Sequence, residues 1–273
     1  MSTPEHLPIN GEAVPGELGT SVFPPPAAPM DPPWTGWNVA TLAVVSFSTL
    51  VFCMMGVAYL AQRIFYPQTA FGLVIESPVI IVTGQLIAYL LILLYMYSIL
   101  AHRLHGSFWR NVRWNWPEGT ACFFYILGGA VLALSLQGVS HFLPMPKELP
   151  IDQFFRTPAE AFLVTSFGVS LAPLMEELFF RGFLYPVLAR NLGKVVAVVL
   201  TALSFGLLHA PQLGRAWAPV LIVVLVGLAL TITRAITRSV GASFLVHVAY
   251  NATLSLMIFV STDGFRQLDK LTQ

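Results

Sequence analysis

Charge is what this 273-residue sequence has least of: 10% of its residues are Asp, Glu, Lys or Arg. Soluble domains carry about 25%, so the shortfall excludes most soluble folds. The formal net charge is +1, which gives no electrostatic basis for nucleic-acid binding. Cysteine is nearly absent. Cys53 and Cys122 each sit in an apolar run without metal-ligand spacing and read as packing residues. There is no Gly-rich phosphate loop, no internal repeat and no H-E-x-x-H pattern, so a zinc site borne on one helix by that motif is excluded. The first 33 residues contain no Lys or Arg. They hold nine prolines and the acidic residues Glu5, Glu12, Glu17 and Asp31. Such a segment has too little to bury and is expected to be a disordered tail. Without a basic start followed by an apolar stretch it does not read as a signal peptide, so the first apolar helix is expected to act as the insertion signal.

What the chain has instead is apolar length. It is 56% hydrophobic, with mean hydropathy +0.74. A membrane span needs about 20 mostly apolar residues. No charge occurs between Asp31 and Arg63, and residues 37–60 read as a first span, with Trp34 and Trp37 as interfacial anchors. Further spans are expected over residues 78–101, 119–141, 194–215, 216–233 and 240–260. The stretch 158–192 exceeds one crossing and reads as a long tilted helix or as two pieces broken near Pro173. The expectation is an all-α, polytopic transmembrane bundle of about seven or eight helices. It divides into the tail 1–33, N-terminal transmembrane helices 34–150, a catalytic-type core 151–262 and a tail 263–273. Loop cations, with Arg234 counted among them, split seven against six between the two membrane faces and set no orientation.

Three short patterns carry polar groups into these apolar runs: Glu176-Glu177-Leu-Phe-Phe-Arg181, Phe205-Gly-Leu-Leu-His209 and His247-Val-Ala-Tyr-Asn251. A charge at the bilayer centre costs at least 2–4 kcal/mol (order of magnitude). Glu177 and Arg181, four apart on a helix, can offset that cost as an ion pair. Glu176 points about 100° away. A lone intramembrane His, or a His/Asn pair one turn apart such as His247 and Asn251, serves equally well to tie helices together. Depth favours another reading. With a turn near residues 191–193, Glu176 and His209 lie at similar depth, and a turn near 237–239 lifts His247 and Asn251 towards the same level. A buried carboxylate beside a His can deprotonate water. A second His and an amide can stabilise an oxyanion. Glu and His can also ligate zinc, so a zinc metallopeptidase built from the same residues stays open.

In order along the chain, these motifs resemble the CAAX-protease and bacteriocin-processing family of intramembrane endopeptidases. That family's pattern is E-E-x-x-x-R, F-x-x-x-H and H-x-x-x-N on successive membrane helices. The resemblance covers about residues 171–255. It implies a glutamate-dependent endopeptidase in which Glu176 and His209 activate water, His247 and Asn251 stabilise the oxyanion, and Glu177 and Arg181 support the site without a cofactor. The implied partners are the lipid bilayer and a membrane-associated polypeptide, such as a prenylated CAAX protein that loses its last three residues, and no nucleic acid. The implied place is a cell membrane. Some members of the family act as scaffolds without proteolysis, which is the non-enzymatic alternative.

Overall fold

The structure, a computed structural model, describes residues 31–101 and 107–271. The disordered tail expected over 1–33 lies outside the described residues as far as Met30. The described elements are α1 (Gly36–Ile64), α2 (Phe71–Ile75), α3 (Pro78–Ala101), α4 (Phe108–Asn111), α5 (Ala121–Ser140), α6 (Pro158–Val169), α7 (Leu171–Glu177), α8 (Tyr185–Leu192), α9 (Lys194–His209), α10 (Trp217–Thr237) and α11 (Val240–Ser261). A π-helical segment, Leu178–Leu184, joins α7 to α8. Among the described residues six helical stretches are long and apolar enough to cross a membrane, counting Pro158–Leu192 as one. This is a polytopic α-helical bundle and a multi-pass integral membrane protein. Exposed side chains such as Val44, Phe52 and Tyr59 on α1 face outward, where lipid rather than water is the solvent.

Local sequence sets the helix ends. Thr35 caps α1, accepting from Asn38 N. Thr157 accepts from Glu160 N, with Pro158 as the first helical residue of α6. Ser239 accepts from Ala242 N at the start of α11. Pro173 has no N–H, and its ring would strike the carbonyl of Val169 in a continuous helix. The chain accordingly breaks at Ser170, between α6 and α7. The expected two-piece reading of this stretch is therefore the one observed. The span expected over 194–215 is shorter than expected. α9 stops at His209 and is too short to count with the six, because Pro211 has no N–H with which to continue the helical ladder to the Leu207 carbonyl.

The pairs α1–α3, α5–α11 and α9–α10 pack extensively. In a bilayer, close helix approach depends on small residues at the contact. A Cβ built on Gly129 of α5 would collide with the Val246 carbonyl oxygen and lie 2.7 Å from Ala249 Cβ on α11. Gly128 has nothing within 4 Å of that position. Gly129→Ala is therefore expected to destabilise the bundle by about 1–3 kcal/mol, read as a lower thermal midpoint in detergent. Gly128→Ala is expected to leave the midpoint in place.

Trp34 is not the interfacial anchor expected of it. It is 1% exposed, and its indole N–H donates to the Phe183 carbonyl at 3.0 Å, while Trp37 is exposed. Arg190 donates to the carbonyls of Pro32 and Trp34, and Arg113 pairs with Asp31. Residues 31–34 are thus fastened to the π segment and α8.

Candidate active site

The unusual feature of the polar layer is where its charges lie. Glu177 and Arg181 are fully buried, with Arg181 Nη1 3.0 Å from Glu177 Oε1. The pair expected from the i,i+4 spacing is present. It does more than balance charge, because Glu177 Oε1 also accepts from His247 Nδ1 at 2.9 Å. Arg181 Nη2 donates to the Gly227 carbonyl of α10 at 3.1 Å. Its guanidinium lies over the Phe205 ring, 4.6 Å from the centroid. Glu177 Oε2 and Arg181 Nε are buried without a hydrogen-bond partner. Buried polar atoms in that state are costly, and π segments are common at functional sites.

Glu176 faces the other way. Its Oε1 is 3.8 Å from His209 Nε2, and its Oε2 is 3.6 Å from His247 Nε2. The side chains of Glu176 and His209 are 20% and 21% exposed, against 4% for His247. Glu176 and His209 can therefore meet a substrate, while His247 sits behind them. The three expected helices do bring Glu176, His209 and His247 together.

Hydrogen bonds fix the ring orientations. His209 Nδ1 lies 2.8 Å from the Phe205 carbonyl. A carbonyl only accepts, so Nδ1 carries the proton and a neutral ring turns its Nε2 lone pair to Glu176. The Glu177 carboxylate fixes His247 in the same way. Phe205 packs between them, with ring centroids 4.7 Å from His209 and 5.7 Å from His247. Glu176 and His209 thus present two acceptors to one point, which suits a water that donates both its protons. Because α9 ends at His209, the polar loop that follows begins at this layer.

Asn251 is placed differently. Its Nδ2 donates to the Gly168 carbonyl of α6 at 2.7 Å, and it has no hydrogen bond to Glu176, Glu177, His209 or His247. An amide nitrogen has two N–H groups, so one remains. Among the described residues, no three His, Cys, Asp or Glu side chains are disposed to hold a metal ion.

The sequence reading missed two supports. Arg234 was assigned to a loop, but it is 4% exposed inside α10. Its Nε donates to the Arg181 carbonyl at 3.1 Å, and it lies over the Tyr185 ring. The available signal was a cation within an apolar run, one helical turn before the chain end of α10. Ser243, facing α10 from α11, donates to the Leu230 carbonyl beside Glu177. Outside the spans, Asp152 closes a short turn by accepting from Leu149 N; burial pushes its carboxyl up from the ordinary range. The next residue but one before it in the turn is Pro150, and Ile151 N donates to the Gln212 carbonyl, which ties this turn to the loop after His209.

Glu176 and His209 line a cavity of about 840 Å³ whose other walls come from α1, α3 and α8. Its lining is mainly apolar, as in Val39, Phe47 and Ile92. Residues 158–253 match a family model described as "Type II CAAX prenyl endopeptidase Rce1-like". That stretch holds all six residues of the polar layer and leaves α1 to α5 outside. Neither the curated proteins nor the solved structures include a match to the chain.

Proposed function

We propose, from the match of residues 158–253 to the type II CAAX prenyl endopeptidase Rce1-like family model, that the chain hydrolyses a peptide bond of a membrane-associated polypeptide. The water is activated by Glu176 and His209, and a prenylated CAAX-type tail is the substrate. The observation that carries this reading is the pair of acceptors, Glu176 Oε1 and His209 Nε2, 3.8 Å apart at the edge of a mainly apolar cavity.

In this mechanism water donates to Glu176 and His209, and its oxygen attacks the scissile carbonyl as Glu176 takes a proton. The C–O bond forms and the carbonyl becomes an oxyanion. His247 and the free N–H of Asn251 stabilise that charge. His247 donates from Nε2 only when both its nitrogens carry protons, because Nδ1–H is committed to Glu177. Collapse of the intermediate breaks the C–N bond, and Glu176 returns its proton to the leaving amine. Glu177 and Arg181 act as positioning residues. Arg181 fixes Glu177, and Glu177 fixes the His247 ring.

The test is cleavage of a farnesylated peptide with three residues after its modified cysteine by the purified full-length protein. Release of the terminal tripeptide, undiminished by a metal chelator, is the expected result. An intact peptide, or activity lost to the chelator and restored by Zn²⁺, overturns the reading.

A further inference from the structure

The cavity beside Glu176 has one wall that belongs to neither the Rce1-like stretch nor the polar layer. α3 contains no Asp, Glu, Lys or Arg, yet it places Gln85 and Tyr89 on the cavity, one turn apart on the same helix face. Neither the Gln85 carboxamide nor the Tyr89 hydroxyl makes a hydrogen bond among the described residues. The Tyr89 ring is held, stacked on Phe167 of α6 with centroids 5.6 Å apart. Tyr89 and Glu176 line the same cavity. Across the cavity, Ser46 Oγ of α1 is buried without a partner.

Polar side chains facing an apolar cavity are costly unless something pairs with them. A peptide brought into this cavity carries the complementary need. Each of its N–H and C=O groups must find a partner where the walls offer little water. A carboxamide both donates and accepts, which matches a peptide unit, and a phenol donates to a carbonyl. We propose that Gln85 and Tyr89 are substrate-positioning residues, which hydrogen-bond the main chain of the bound peptide and hold it against Glu176. α3 would then supply recognition of the backbone, while α7 and α9 supply the chemistry. The proposal rests on the endopeptidase reading for the identity of the ligand as a peptide.

Binding tests it without turnover. The probe is a fluorescently labelled farnesylated peptide with three residues after its cysteine, and the protein is the full chain carrying Glu176→Gln in lipid nanodiscs. Adding Gln85→Leu or Tyr89→Phe is expected to weaken binding by about fivefold or more, the effect of losing one buried hydrogen bond. Tyr89→Phe keeps the ring on Phe167, so its thermal midpoint is expected to stay in place. A second probe replaces one backbone amide next to the scissile bond with an ester. The ester is expected to weaken binding to the Glu176→Gln protein and to cost nothing further once its partner, Gln85 or Tyr89, is replaced. Binding unchanged within about twofold in both variants, or an ester penalty that persists in both, overturns the positioning role. If the wild-type chain cleaves the peptide in that case, the endopeptidase reading survives alone. If the wild type cleaves nothing while the variants lose binding as stated, the endopeptidase reading fails and peptide recognition by α3 stands.

Discussion

Glu176→Gln is expected to lower kcat/KM for peptide cleavage by about 10²–10⁴-fold, the contribution of a positioned general base, with the thermal midpoint unchanged. The substitution keeps size and one carbonyl oxygen but removes the proton acceptor. It should fold because Glu176 makes no side-chain hydrogen bond among the described residues and stands apart from the buried Glu177–Arg181 pair. Its oxygens stand 3.6 and 3.8 Å from the two histidines, and its side chain is partly exposed. That separates it from Glu177, one residue on and fully buried. Steady-state cleavage together with thermal unfolding of the same preparation checks both halves. A variant with wild-type turnover contradicts the assignment, and so does one whose activity falls only as much as its folded fraction.

Arg181→Met is expected to be the most destabilising single change in the core, by about 3–5 kcal/mol. It leaves the Glu177 carboxylate buried with no cation, and it takes a donor from the Gly227 carbonyl. Adding Glu177→Gln to Arg181→Met removes the stranded charge while keeping an oxygen for His247 Nδ1–H. Most of the lost stability should then return. Thermal unfolding of the single and double variants in detergent makes the comparison. A double variant as unstable as Arg181→Met would mean that the pair matters for packing rather than charge.

Parts of this arrangement were legible in the sequence for definite reasons. Apolar runs of span length between charges located α1, α3, α5, α10 and α11, because the bilayer imposes length and composition together. The depth argument brought Glu176 and His209 together because it needed only one turn, at Gly193, and a fixed rise per residue. Glu177–Arg181 was legible from local spacing. The role of that pair in holding His247 was not, since residues 177 and 247 meet only through packing between helices. Trp34 was misread because an aromatic near the start of a span looks like an interfacial anchor, and nothing near it in sequence announces the Phe183 carbonyl. Arg234 was misread because a cation close to a helix end resembles a loop charge. α9 was drawn too long because no charge follows His209 until Arg215, while Pro211, which has no N–H for the helical ladder, ends the helix. The cavity wall from α3 was invisible because Gln85 and Tyr89 belong to no motif.

The central claim is that Glu176 and His209 act on one water as a unit. The most direct measurement is the rate of peptide cleavage under single-turnover conditions for wild type, Glu176→Gln, His209→Ala and the double variant. Groups that serve one step together give strongly non-additive losses. The account predicts that the double variant is no slower than the slower single variant. Losses that multiply, or a His209→Ala protein that cleaves like wild type, would contradict it.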